Sequence, residues 1–293
     1  HPPPSRYISN AVAIARQSEV AIVFATQWMT EGKDVPDLGL PNGQDALIAA
    51  VAEANPNTIV VLQTGGPVQM PWLAKAAAVI EAWYPGAAGG EAIASVLFGE
   101  VNPSGRLPMT FPSGVDELPR PRLDGIELDG NITPGTDLSQ RQLAVNYDIE
   151  GSDVGYRWNA LHGHKALFPF GYGLSYTRFR TGDLKVNGDA ATLTVTNTGS
   201  RSGATVAQVY LVSRNGMAKR RLVGFQRVEI AAGRSVKVKI AIDPRLLADW
   251  GGGGWSMPKG AYVFASGDNA EALGDTVSLY LPARQWRDRP LAQ

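Results

Sequence analysis

The chain has 293 residues, enough for two domains with separate cores, and its composition, 44% hydrophobic and 18% charged, is that of a folded globular protein. Its 27 basic residues balance 27 acidic ones, so the formal net charge is zero and no basic face for a nucleic acid is indicated. The absence of cysteine excludes disulfides, thiolate metal sites and cysteine nucleophiles.

The first part of the chain alternates helical and strand-like segments. The predicted strands are 19–26, 58–64 and 78–84. The first is expected to be buried, and the second is β-branched on both faces, as is typical of parallel strands covered by helices. The predicted helices are one that follows Ser5, one over 42–54, one over 70–77 and one that ends at Phe98. This alternation predicts a doubly wound, mainly parallel α/β domain over residues 1–112.

The second part of the chain changes its periodicity. Residues 113–175 are rich in Pro, Gly, Asp and Asn and predict a long wrapping loop or linker. From Tyr176 onward, short alternating strands predict an immunoglobulin-like β-sandwich over 176–282, followed by a tail, 283–293. Its predicted core is Leu193, Val195, Val209, Leu211, Phe225, Val238, Ile240, Tyr262 and Phe264.

A polar loop from Trp28 to Pro41 follows the first predicted strand. Open α/β sheets bind ligands at the carboxyl ends of their strands, so this loop is the candidate site. It carries one glutamate, Glu31, between Thr30 and Gly32. From residue type alone, Glu31 is more simply a solvated loop acid.

Two other patterns have simpler structural interpretations. The glycines between Pro85 and Glu91 lack the Lys-Ser/Thr pair and the spacing of a phosphate-binding loop, and close helix–sheet packing explains them. His162-Gly-His164 has no third ligand nearby in the sequence. We therefore expect no metal and no cofactor. No apolar run has the length of a membrane span, and no membrane partner is expected.

Six motifs, in this order along the chain, resemble the C-terminal part of glycoside hydrolase family 3, the β-glucosidase family. They are Thr-Glu-Gly-Lys-Asp at 30–34 with Pro-Asp-Leu-Gly-Leu-Pro at 36–41, Asn-Gly-Gln-Asp-Ala-Leu-Ile at 42–48, Tyr-Pro-Gly at 84–86 with Gly-Gly-Glu-Ala at 89–92, Gly-Glu-Val-Asn-Pro-Ser-Gly-Arg-Leu-Pro at 99–108, Val-Gly-Tyr-Arg at 154–157 and Phe-Pro-Phe-Gly-Tyr-Gly-Leu-Ser-Tyr-Thr at 168–177.

The resemblance implies a domain order of catalytic β/α barrel, α/β sandwich and fibronectin type III-like domain. Residues from Tyr176 onward would form the fibronectin-like module, and residues 1–112 an α/β sandwich that lacks its first strands. Nothing in the chain resembles the barrel, its Ser-Asp-Trp-type nucleophile motif or its Lys-His pair. Asp153 and Asp249 have similar local sequences but fall in a predicted loop and in the sandwich. The chain also does not begin with Met, so we expect a portion of a longer enzyme.

The resemblance also assigns site residues. Glu31 matches the acid/base residue that the family often carries in a Glu-Gly pair after a strand. Trp28, Met29 and Asp34 would bind substrate, Trp28 as an aromatic platform for a leaving-group sugar. A core position for Trp28 is the alternative. Asp34, Asp37 and Asn42 could bond sugar hydroxyls, but we favour capping or turn roles for all three.

We therefore expect part of a retaining, exo-acting β-glucosidase that is inactive as this chain alone. Its partners would be a β-linked glucoside or oligosaccharide and the N-terminal barrel portion of the same enzyme. A homodimer, the sugar and the linkage stay open, and the resemblance favours the periplasm or the extracellular space. The alternatives are a non-catalytic carbohydrate-binding or scaffolding fragment, and an unrelated sugar- or nucleotide-binding domain, which the missing phosphate motifs disfavour.

Overall fold

A computed structural model of the chain describes residues 5–29, 31, 35, 37–121 and 146–287. The described residues divide into two compact units. The first contains residues up to 97 and from 111 to 149, and the second contains 98–110 and the residues from 150 onward. As predicted, the first is an α/β unit and the second contains a β-sandwich. No helix in the described part of the chain is both long and apolar enough to cross a membrane.

The first unit is built on a parallel sheet with the strand order β1-β2-β3. Its strands are β1 (Ala21–Thr26), β2 (Thr58–Gln63) and β3 (Ala78–Glu81). Its helices are α1 (Ser5–Arg16), α2 (Gln44–Ala54) and α3 (Gly89–Leu97). The predicted order of helices and strands is therefore observed, with one exception. The segment 70–77 forms only a 3₁₀ turn, Leu73–Lys75, which ends at Ala76 in an extended conformation.

The side chains of the strands differ in how deeply they are buried. In the central strand β2, Val60, Val61 and Leu62 are fully buried, in keeping with its continuous apolar sequence. In β1, Ile22 and Phe24 are 44% and 54% exposed. The expectation that β1 is buried is wrong for this chain, because the described residues leave the face that carries Ile22 and Phe24 uncovered. In the described part of the chain, β1 also lies at the edge of the sheet and pairs only with β2.

The second unit contains a four-stranded sheet, a three-stranded sheet and a small accessory sheet. Their strand orders are β12-β11-β6-β7, β4-β5-β8 and β13-β10-β9. The strands are β4 (Phe179–Val186), β5 (Ala190–Asn197), β6 (Gly203–Arg214), β7 (Met217–Ile230), β8 (Ser235–Ala241), β9 (Asp249–Gly251), β10 (Gly254–Met257), β11 (Gly260–Gly267), β12 (Leu273–Leu281) and β13 (Arg284–Trp286). A short helix, α4 (Tyr156–His162), lies in the segment expected to be loop.

The predicted core of the sandwich is buried apart from Phe225, which is 64% exposed. A β-bulge explains this wrong assignment. The pairing of β6 with β7 passes from Val209–Gly224 to Tyr210–Leu222, which leaves Val223 as an extra residue. The extra residue changes which side chains face inward. Gly224 therefore faces the opposing sheet, where an added Cβ would lie 2.6 Å from the carbonyl oxygen of Ala241.

Residues 98–110 belong to the second unit, whereas the sequence pattern predicted them to be part of the first domain. The Arg106 guanidinium donates hydrogen bonds of 2.8 Å to the carbonyl of Gly173 and to Oγ1 of Thr205. The amide of Asn102 donates to the carbonyl of Ser202 and accepts from Oγ of Ser175. These long-range bonds hold the segment against the sandwich, and they join residues that no local sequence pattern relates.

Candidate active site

The candidate site lies where the three strands of the first unit end. Trp28 and Met29 follow β1, Gly65 follows β2, and Tyr84 follows β3. Since the strands are parallel, these residues share the carboxyl edge of the sheet, where α/β proteins place their ligands. Glu31 is exposed and lies in a turn just beyond this edge. Asp34 lies outside the residues that the structure describes.

Trp28 is strongly exposed. Its side chain is 93% accessible, so the core alternative is wrong within this chain, and Met29 is 39% accessible. Trp28 lines an open cleft of about 210 Å³. The other lining residues are Thr26, Gln27, Gln63, Tyr84, Pro85 and Gly86. Small-molecule sites typically enclose about 300–1,000 Å³, so the cleft formed by this chain is smaller than a complete pocket.

The loop that carries Glu31 is anchored where it begins. The side chain of Gln44, at the start of α2, donates to the carbonyl of Thr26 at 2.8 Å and accepts the backbone N–H of the same residue at 2.9 Å. The hydroxyl of Tyr84 donates to the carbonyl of Gln27 at 2.6 Å and accepts the N–H of Met29 at 3.1 Å. Two side chains from distant parts of the chain therefore fix the backbone just before Glu31.

The same loop is anchored where it ends. The carboxylate of Asp45 accepts the N–H of Leu40 at 3.0 Å and the indole N–H of the buried Trp72 at 2.7 Å. The carbonyl of Leu38 accepts the N–H of Gln69 at 2.7 Å. Asp37 accepts the N–H of Gly39 at 2.8 Å, which is the turn role expected for it. The loop therefore leaves β1 and leads into α2 at fixed points.

Glu81 is a carboxyl group that the motifs in the sequence do not single out. It ends β3, where Oε1 accepts the N–H of Trp83 at 2.8 Å and Oε2 accepts from Oγ1 of Thr64 at 3.1 Å. Burial raises the pKa of Glu81 from about 4.5 to about 7, against the lowering effect of these hydrogen bonds. The only feature of the sequence that could have pointed to Glu81 is its charge within an otherwise apolar segment. Through its hydrogen bond from Thr64, Glu81 connects the end of β3 to the end of β2.

Asp249, His162 and His164, which the sequence offered as possible site residues, lie in the second unit. Asp249, at the start of β9, forms an ion pair with the buried guanidinium of Arg214 in the sandwich unit. The rings of His162 and His164 lie 5.8 Å apart between centroids. Within the described ranges, no three His, Asp or Glu side chains are arranged to hold a metal ion.

Comparison with known protein families identifies the family of this chain. Residues 5–176 match the glycosyl hydrolase family 3 C-terminal domain, and residues 205–270 match the fibronectin type III-like domain. The first match covers more than half of the chain, so the chain belongs to glycosyl hydrolase family 3. The predicted family and the predicted domain types are confirmed.

The chain is similar to several β-glucosidases. It is 40% identical to a β-glucosidase of Rhizobium radiobacter, over 94% of this chain and 34% of that protein, and 40% identical to β-glucosidase B of Emericella nidulans, over 96% and 35%. Among solved structures, it aligns with the β-glucosidase DesR of Streptomyces venezuelae with a TM-score of 0.81 and 41% identity, over 94% and 35%. It aligns with a β-glucosidase of Kluyveromyces marxianus with a TM-score of 0.84 and 32% identity, over 98% and 34%. The chain spans about a third of the length of these relatives.

Proposed function

We propose that this chain supplies the acid/base carboxylate, Glu31, to the active site of a retaining, exo-acting β-glucosidase. The observation that carries the proposal is the placement of Glu31 on a loop anchored at both ends, just beyond the carboxyl edge of the sheet and three residues after the exposed Trp28. The chain covers about a third of the length of the β-glucosidases that it matches, which supports an active site completed by other parts of the protein.

Retaining glycosidases use two carboxyl groups on opposite sides of the scissile bond, about 5–5.5 Å apart. In the first step, Glu31 donates its proton to the glycosidic oxygen while the second carboxylate attacks the anomeric carbon. In the second step, Glu31 removes a proton from water, which attacks the glycosyl-enzyme and releases the sugar. We assign the second carboxylate to a barrel outside this chain. The barrel portion is therefore the required partner.

The proposed substrate is a β-linked glucoside. The relatives are named β-glucosidases, and the DesR structure was solved in complex with D-glucose. Trp28 would offer a flat, apolar ring face to the leaving-group sugar. Met29 and Asp34 are the other proposed substrate-binding residues. The backbone on either side of Trp28 is held by the Tyr84 hydroxyl, and the almost fully exposed ring is accessible to a sugar.

The test is leaving-group dependence in the full-length enzyme that includes the barrel. Glu31→Gln should slow the hydrolysis of cellobiose and alkyl glucosides by about 10²–10⁴-fold, the range for a lost general acid. Aryl glucosides with activated leaving groups need little protonation, so they should still form the glycosyl-enzyme and then accumulate it. In Glu31→Ala, added azide should relieve that block and yield a β-glucosyl azide.

The matched control is Glu91→Gln, which changes an exposed carboxylate in the first turn of α3 and should leave both substrate types unaffected. Equal losses on good and poor leaving groups for Glu31→Gln, with no azide product, would contradict the assignment. A non-catalytic carbohydrate-binding role predicts a different result, in which Glu31→Gln changes sugar affinity and leaves the rate of bond cleavage unchanged.

A further inference from the structure

We propose that Tyr84 is a positioning residue for the acid/base carboxylate. Its hydroxyl fixes the backbone of residues 27–29, from which the chain leads directly to Glu31. The inference rests on the proposed function of Glu31 and adds a residue, 53 positions further along the chain, on which the reaction depends.

The hydrogen bonds of Tyr84 continue the support that the sheet gives to β1. The last backbone bond between β1 and β2 in this region runs from the N–H of Gln27 to the carbonyl of Gln63, at 3.1 Å. Beyond it, the Tyr84 hydroxyl accepts the N–H of Met29 and donates to the carbonyl of Gln27. The one hydroxyl thus pairs with the Met29 N–H and the Gln27 carbonyl, two backbone groups that a neighbouring β-strand would otherwise pair with.

Tyr84 reaches this backbone across the end of the middle strand. β1 and β3 are not neighbours, because β2 lies between them. The crossing passes over Gly65, just after β2, where an added Cβ would lie 2.9 Å from the Tyr84 hydroxyl oxygen and 2.8 Å from Sδ of Met29. Contacts below 3.0 Å are essentially never made by real Cβ atoms, so a side chain at position 65 would displace Tyr84 or Met29. Met29 after β1, Gly65 after β2 and Tyr84 after β3 are therefore packed closely against one another.

The turn that presents Tyr84 is itself unusual. Trp83 has φ of +52°, which non-glycine residues seldom adopt, and its N–H is accepted by Glu81. Such backbone conformations persist where the surroundings enforce them. Tyr84 is 53% exposed, so burial of its ring in the core does not explain the arrangement. The contacts indicate a role for its hydroxyl.

The consequence for catalysis is one of geometry. General acid catalysis requires hydrogen-bond contact between the acid and the leaving oxygen, and a displacement of about 1 Å can cost about 10²-fold in rate. Without its hydroxyl, residue 84 no longer restrains the backbone two residues before Glu31. The step that needs protonation should then suffer most. A purely structural role for Tyr84 would affect all substrates alike.

The first test uses the chain as it is and measures amide hydrogen exchange at Met29. Tyr84→Phe should raise the exchange rate of the Met29 amide by about 10-fold or more, because its acceptor is removed. The control is Tyr156→Phe, which removes a hydroxyl that accepts the N–H of Leu222 in the second unit and should not change Met29. Unchanged Met29 exchange in Tyr84→Phe would overturn the proposal.

The second test uses the full-length enzyme and compares Tyr84→Phe with Glu31→Gln. Tyr84→Phe should lower kcat/KM for cellobiose by about 10–10²-fold and for activated aryl glucosides by no more than about 3-fold. If Glu31→Gln shows leaving-group dependence and Tyr84→Phe does not, the positioning role is wrong and the proposed function stands. If Glu31→Gln shows no such dependence, the proposed function is wrong, and the role of Tyr84 in catalysis falls with it.

Discussion

Glu81 makes the stability of the α/β unit depend on pH in a predictable direction. Burial raises its pKa from about 4.5 to about 7 in the folded chain. Between these pH values the folded unit keeps a proton that the unfolded chain has released. The unfolded state therefore binds fewer protons, and the free energy of unfolding falls as the pH rises from about 4.5 to about 7. Above about pH 7 the contribution of Glu81 is constant.

The size of this effect follows from the two pKa values. The difference between about 4.5 and about 7 corresponds to at most about 3 kcal/mol. Glu81 retains partial solvent access, which screens the charged form, so we expect about 2 kcal/mol. Single domains are stable by only about 5–15 kcal/mol in total, so this loss is measurable.

The perturbation is Glu81→Gln, which mimics the protonated acid. Its amide oxygen can still accept the N–H of Trp83, and its amide nitrogen can donate to Oγ1 of Thr64. At pH 8 the variant should be more stable than the parent chain by about 2 kcal/mol, whereas at pH 4.5 the two should agree within about 0.5 kcal/mol.

The assay is urea unfolding between pH 4.5 and pH 8, followed by amide resonances of each unit separately. Val60 and Val61 in β2 report on the α/β unit, and Val209 in β6 serves as an internal reference. Glu91→Gln, on the exposed face of α3, controls for the loss of one negative charge. If Glu81→Gln shows the same pH dependence as the parent chain, burial does not hold the proton on Glu81 and the reasoning fails.

Two further predictions concern the activity of this chain alone and the core of the sandwich. A homogeneous preparation of the chain should hydrolyse no aryl β-glucoside above the uncatalysed rate, because a general acid without a second carboxylate cannot form the glycosyl-enzyme. Measured turnover would contradict this expectation. Phe264→Ala, at a fully buried position, should destabilise the sandwich by about 3–5 kcal/mol in urea unfolding. The exposed Phe225→Ala should cost less than about 1 kcal/mol, and equal losses would refute the bulge register.

Much of the fold could be predicted because it depends on local periodicity. The continuous apolar run at 58–64 predicted β2, and alternation placed Val209 and Leu211 in the sandwich core. Phe225 was misassigned because the bulge at Val223 depends on how β7 pairs with β6, which the sequence of β7 alone does not determine. The contacts of segment 98–110 with the sandwich could not be predicted for a similar reason, since its bonds are long-range.

The site was predictable only in part. The family resemblance singled out Glu31, and its flat, apolar ring made Trp28 a candidate for stacking on a sugar. Tyr84 and Gly65 contact Met29 only because parallel strands bring their carboxyl ends to one edge. The raised pKa of Glu81 arises from burial, which depends on the whole packing of the unit.

The exposed edge of β1 has a consequence for handling this chain in solution. Its sequence, Ala-Ile-Val-Phe-Ala-Thr, is uncharged, lacks Pro and Gly, and favours extended conformations, which is the signature of segments that assemble into stacked, fibre-forming sheets. Natural edge strands usually carry a charge or a proline that prevents such assembly. In the described part of the chain, β1 has an exposed apolar face and only one strand partner. The strand that leads into the Glu31 loop is therefore also where we expect fibril growth to begin when concentrated samples are stored.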